Sequence, residues 1–156
     1  MARCFRHKMG AKDRGAEAVE FALVVPLFLL LVFGVVDFGY MINRDTMVNN
    51  ASREGAREGA LNPNADAIEC KVRRELATVE PAGGGVNCRP SSTKITVTVG
   101  CRKPDNTSCA TFATDATSGG TVNVKVDYQH SWITPAATLL HLSDIALSRT
   151  TEMRIE

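Results

Sequence analysis

From Phe21 to Val36 the chain runs Phe-Ala-Leu-Val-Val-Pro-Leu-Phe-Leu-Leu-Leu-Val-Phe-Gly-Val-Val, sixteen residues without a charge. With Ala18, Val19 and the border from Asp37 to Tyr40, the run approaches the ~20 residues that cross a hydrocarbon core. The alternative is a buried helix of a soluble protein, but such helices are seldom apolar on every face. Pro26 and Gly34 do not count against a span, because spanning helices tolerate both. This one feature divides the chain into a part before the bilayer, a part within it and a part beyond.

Charge gives the division a direction. Residues 1–15 hold five bases (Arg3, Arg6, Lys8, Lys12 and Arg14) against one acid, Asp13, for a net +4. The remainder holds thirteen bases and sixteen acids, for a net −3. Basic flanks stay cytoplasmic, so this asymmetry predicts a cytoplasmic N-terminus and an exported C-terminal region. It also argues against a nucleic-acid partner, which calls for a basic face on the folded domain. A removable secretory signal would share the basic end and the apolar run. It would also need small residues at a cleavage site, and Val36-Asp37-Phe38-Gly39-Tyr40 is a poor match. Asp37 itself reads as an interfacial residue already in water, with a helix–helix contact or an intramembrane pairing as the alternative.

The border of tail and span reads Arg14-Gly15-Ala16-Glu17-Ala18-Val19-Glu20-Phe21. Gly15, followed five residues later by Glu20 and then by an apolar helix, resembles a type IV prepilin processing site. Phe21 directly after the acid is similar to the Flp variety of that motif. The wider run through Pro26, with Phe33-Gly34-Val35-Val36-Asp37-Phe38-Gly39 downstream, resembles the TadE-like family of the tight-adherence (Tad/Flp) pilus system. The resemblance is strongest over residues 14–60. It implies a minor pilin or pseudopilin at the bacterial inner membrane, with a prepilin peptidase, other pilin subunits and the Tad assembly machinery as partners. It further implies cleavage after Gly15, which would leave 141 residues beginning at Ala16. Glycine before the scissile bond offers no side chain to clash with the peptidase. Glu20 lies near hydrocarbon, where a carboxylate costs about 2.5–3.5 kcal/mol on insertion scales and wants a partner. The freed amine of Ala16, in the same or a neighbouring chain, is the mate that the resemblance implies. The alternative is that Glu17 and Glu20 merely favour the positive end of the helix dipole.

Beyond the span, Asn43 to Leu61 contains no proline, and Ala51, Gly55 and Gly59 recur every four residues on one helical face. Small residues on a stripe let another backbone approach, and packing must offset the ~1 kcal/mol that each glycine costs the helix. Arg53, Glu54, Arg57 and Glu58 read as a solvated face with local ion pairs. Asn62-Pro63-Asn64 is a break. A second helix is expected over Ala65–Glu80 on the stripe Ile68, Val72, Leu76 and Val79. Pro81 to Gly85 reads as a loop. Strands are expected over Lys94–Val99 and Val122–Tyr128 by alternation, with a less regular third from Ile145 to Ile155. Pro135–Leu142 reads as a short apolar helix or a membrane-proximal loop. The expected architecture is α+β: a long transmembrane helix extended into a pilin-like spine, a second helix, and a small antiparallel sheet of about three strands. The divisions are a basic leader (1–15), a span (16–40) and an extracytoplasmic head (41–156).

Five cysteines sort by compartment. Cys4 lies in the leader, whereas Cys70, Cys88, Cys101 and Cys109 lie in the exported part, where disulfides persist. Four cysteines allow three connectivities, and Cys70–Cys88 with Cys101–Cys109 is preferred, the second bridge stapling a strand end to the following loop. Intervals of 18, 13 and 8 residues lack the close pair usual in structural zinc sites, so no metal is expected. His7, His130 and His141 are isolated from one another in sequence, and no hydrolase or phosphate-binding motif occurs. The chain is therefore expected not to be an enzyme and to need no cofactor. The competing readings are an uncleaved, membrane-anchored binding module and an anchored hydrolase built on His130 or His141.

Overall fold

The computed structural model describes residues 11–79 and 94–156, with side chains from Gly15 onward. Helix α1 (Ala11–Leu61) carries the apolar run, with Pro26 inside it, and continues unbroken beyond it. At ~1.5 Å per residue its 51 residues extend about 75 Å. It ends where Asn62-Pro63-Asn64 interrupts the chain. Asn64 then starts α2 (Ala65–Glu75), its side-chain oxygen accepting from the amides of Asp66 at 3.0 Å and Ala67 at 3.2 Å. That cap satisfies two amides the first turn leaves without helical partners.

The second helix is shorter than the expected Ala65–Glu80. Past Glu75 the chain tightens into turns, with Ala77 N–H donating to Arg74 and Val79 N–H to Leu76. This i→i−3 bonding swings Leu76 into the core, where it is buried. The loop expected over Pro81–Gly85 and the leader cysteine Cys4 lie outside the described residues, as does Cys88.

Three antiparallel strands follow in the order β1 (Ile95–Arg102), β2 (Thr121–His130) and β3 (Ile145–Arg154). In register, Val97 faces Val126 of β2, and Val126 faces Arg149 of β3. The central strand alternates strictly. Val122, Val124, Val126, Tyr128 and His130 are buried, while the residues between them are at least partly exposed. Period-two side chains take opposite faces of a sheet, so one face packs on the helices and the other meets solvent. Two short helices lie in the connections: α3 (Phe112–Asp115), which sequence periodicity does not reveal, and α4 (Pro135–Leu139).

The core lies between the far half of α1, α2 and the sheet. It comprises Val48, Ala51 and Ala56 from α1, Ile68 and Val72 from α2, and the inward valines of β2. Buried α1 residues recur as Val48, Ala51, Ser52, Gly55, Ala56, Gly59 and Ala60, the spacing of one helical face. A Cβ at Gly59 would stand 2.8 Å from Ile68 Cδ1 and 2.9 Å from Val122 Cγ2. One at Gly55 would overlap Val72. The glycines let α2 and β2 close on the spine at a distance no side chain permits.

Candidate functional site at the span–head junction

Gly15, Ala16, Glu20 and Phe21 all lie in the first turns of α1 and are exposed, with no heavy atom within 4 Å of a Cβ built at Gly15. Phe21 is followed by exposed Leu23, Val24, Leu27 and Phe28. Among the described residues this is the one helix long and apolar enough to cross a membrane, and its most apolar stretch touches no other part of the molecule closely enough to be buried. A sleeve of exposed leucine and phenylalanine is costly in water and favourable in lipid. The helix therefore fits a membrane anchor at one end and is the spine of the head at the other.

The two functions meet at Asp37. It is buried, at 4% exposure, which overturns its reading as a residue already in water. Ile133 and Thr134 donate their backbone amides to Oδ1, both at 3.2 Å, and the Thr134 hydroxyl donates to Oδ2 at 2.5 Å. Thr134 is the N-cap of α4, and Pro135 opens that helix. The Asp37 carboxylate thus fixes the two residues that lead into α4. Three donors compensate a carboxylate removed from water. The contact lies within one chain, between spine and head, and pins the connection between β2 and β3 to the span.

One turn further on, an aromatic cluster closes the junction. The His130 ring is buried, with centroids of Tyr40 at 5.6 Å, Trp132 at 6.1 Å and Tyr128 at 6.2 Å. Arg44 stacks its guanidinium 4.4 Å from the Tyr40 ring centroid and donates to the Tyr40 hydroxyl in a short hydrogen bond. Among the described residues, neither ring nitrogen of His130 has a hydrogen-bond partner. Burial first, and then the nearby Arg44 cation, hold its pKa below the ordinary histidine value. Such a residue packs as an aromatic body among its ring neighbours. His141 is exposed and takes a positive φ of 52° at the end of α4. The period-two pattern of Val122 to Tyr128, carried one step further, would have placed His130 inward. No local signal marks Asp37, because its partners are 96 and 97 residues away.

Further up the spine, Arg149 of β3 grips Asp45 through two contacts of 2.9 and 2.6 Å. The hydroxyls of Ser52 and Thr151 lie 2.8 Å apart. Glu54 pairs with Lys71 of α2 at 3.1 Å, and more loosely with Arg57 at 3.9 Å. Cys101 and Cys109 form a disulfide with Cα atoms 5.3 Å apart, closing the end of β1 onto the loop toward α3. Cys70 is also disulfide-bonded, and its expected mate, Cys88, lies outside the described residues.

A membrane-anchored α+β protein whose anchor helix is also its structural spine is the class this architecture defines. Residues 15–57 match the family model described as TadE-like protein, a segment that runs from Gly15 past Ala51 and Gly55. The match and the single apolar helix together fit a membrane protein associated with the Tad pilus. No curated protein matches the chain, and no solved structure does.

Proposed function

We propose that the chain is a minor pilin or pseudopilin that takes part in assembling or initiating a Tad/Flp type IV pilus. The observation that carries this reading is the family match, which begins at Gly15, the residue where the leader would be cut. In this reading residues 1–15 are a cytoplasmic leader, 16–40 span the inner membrane, and the head faces outward. A prepilin peptidase cleaves after Gly15. Its accessibility on a bare stretch of α1 supports that role.

Cleavage would free an ammonium at Ala16, one helical turn before Glu20. Both are exposed and face no other element of the fold. A carboxylate in hydrocarbon demands a counter-charge, and the mate that fits is the amine of an adjacent subunit. Among the described residues the head lies beside α1 only from Pro26 onward, beyond Glu20. The protein acts by binding and positioning.

N-terminal sequencing of the membrane-extracted protein, from cells with active prepilin peptidase, tests this directly. A mature chain beginning at Ala16 is expected, and an intact leader overturns the reading. Glu20→Ala should leave membrane insertion intact and impair partner assembly. Normal piliation in that variant would remove the amine–carboxylate pairing from the account.

A further inference from the structure

We infer that the connection between β2 and β3 is a membrane-dipping loop, with α4 lying among lipid chains beside the span in the leaflet on the head side. The inference rests on residues 16–40 spanning the bilayer, and adds a second membrane contact to it.

Sequence comes first. Between Asp127 and Asp144 there is no Asp, Glu, Lys or Arg, and the segment reads Tyr-Gln-His-Ser-Trp-Ile-Thr-Pro-Ala-Ala-Thr-Leu-Leu-His-Leu-Ser. A surface loop of a soluble head seldom forgoes charge for so long. Its apolar residues also point outward: Ile133, Leu139, Leu140 and Leu142 are each about half exposed or more. The buried side, Ala136 and Ala137, lies toward α1.

Position decides what covers the outward side. Leu139 and Pro135 share a groove of about 750 Å³ with Pro26, Leu29, Leu30 and Phe33 of the span. Pro26 lies eleven residues before Asp37, about 16 Å along the helix at ~1.5 Å per residue. The loop therefore descends beside the part of α1 whose own leucines and phenylalanines are bare. Its exposed leucines continue that apolar surface, so a bilayer that covers Leu27 and Leu31 also covers Leu139.

Backbone chemistry supplies many of the partners that lipid requires polar groups to find within the protein. Ile133 and Thr134 donate to Asp37. Leu140, His141 and Leu142 donate to the carbonyls of Ala136, Thr138 and Ala137. The loop's neck is closed by Trp132, whose indole N–H donates to the Ser143 carbonyl at 2.8 Å. Trp132 and Tyr40 flank this neck, and such amphipathic rings favour the boundary between headgroups and chains.

Trp132 is the only tryptophan, so the protein carries its own probe. The full chain is reconstituted in phosphatidylcholine vesicles containing lipids brominated at shallow or deep acyl positions. Native Trp132 should be quenched most by the shallow bromines. Leu139→Trp in a Trp132→Phe background should be quenched by deeper ones and emit further to the blue. Leu27→Trp in the same background reports on the span alone. If Leu27→Trp is quenched while Trp132 and Leu139→Trp are both untouched, the dipping loop is wrong and the span stands. If none is quenched, the span reading fails first. Blue-shifted emission from Leu139→Trp that resists bromine at every depth would show a second copy covering the groove instead of lipid, and would also overturn the inference. The native Trp132 signal keeps the test decisive should Trp132→Phe loosen the neck.

Discussion

Residues 15–40 and residues 44–61 belong to one helix, yet they are built for different surroundings. Along the second stretch, one stripe is buried under α2 and β2 and the opposite side carries Arg53 and Arg57 in solvent. Along the first, Asp37 alone is buried, and large apolar side chains are bare on every other side. The contrast teaches where the hydrophobic effect acts. In the head it binds helix to sheet within the chain. Along the apolar stretch it acts mainly between the chain and its surroundings, since α4 covers those residues only in part.

The glycines give the sharpest way to test that contrast. Gly59→Leu forces a side chain into Ile68 and Val122, and should destabilise the head by about 3 kcal/mol through overpacking. A Cβ at Gly34 meets nothing within 4 Å, so Gly34→Ala should leave the head unchanged. Thermal melting in detergent, followed by protease resistance, distinguishes the two. Equal sensitivity at both positions would erase the difference between the halves.

Asp37 is the place where the halves are joined, so its loss should be felt next. Asp37→Ala leaves the Ile133 and Thr134 donors without their acceptor, at a cost of about 1–3 kcal/mol. Hydrogen exchange at these amides should rise sharply while β1 and β2 stay protected. Unchanged exchange would show that the spine does not hold the loop.

Acidification probes the same junction more gently. His130 has a lowered pKa, so below its ordinary value of 6.5 the unfolded chain takes up a proton that the folded one resists. Its stabilising contribution is complete above that value and falls as the pH drops toward the lowered one. Arg44 and Lys94 oppose protonation, whereas Asp37 and Asp144 favour it. Melting temperature should decline over this interval in the native protein and stay flatter in His130→Phe. Identical pH profiles would place the acid sensitivity elsewhere.

Arg149→Ala should have the smallest effect. The Asp45 contact is exposed on the arginine side, and such pairs contribute little and are screened by salt. A slight loss of melting temperature at low ionic strength, vanishing at high, is expected. A large, salt-independent loss would make the pair a principal tie between spine and sheet.

Much of this was legible from local pattern. The apolar run, the four-residue spacing of Ala51, Gly55 and Gly59, and the alternation Val122-Val124-Val126 each report the solvent or neighbour on one face. The break at Asn62-Pro63-Asn64 marked where the first helix would end and the second begin. The short helix α3 was not legible, because four residues are too few to show a helical period. Nor did local pattern show that α2 stops at Glu75.

Residue order along the chain determined that one helix would be apolar over a long stretch, that a basic segment would precede it, and that strands with one apolar face would follow. Those properties depend on side chains a few positions apart, and solvent sorts them without reference to the rest of the chain. Tertiary structure decided that Asp37 would be buried, that His130 would be enclosed by Tyr40, Tyr128 and Trp132, and that α4 would lie against the span. Each of these brings α1 against a part of the chain about ninety residues or more further on. Only the closing of the sheet onto the spine brings them within hydrogen-bonding or van der Waals reach.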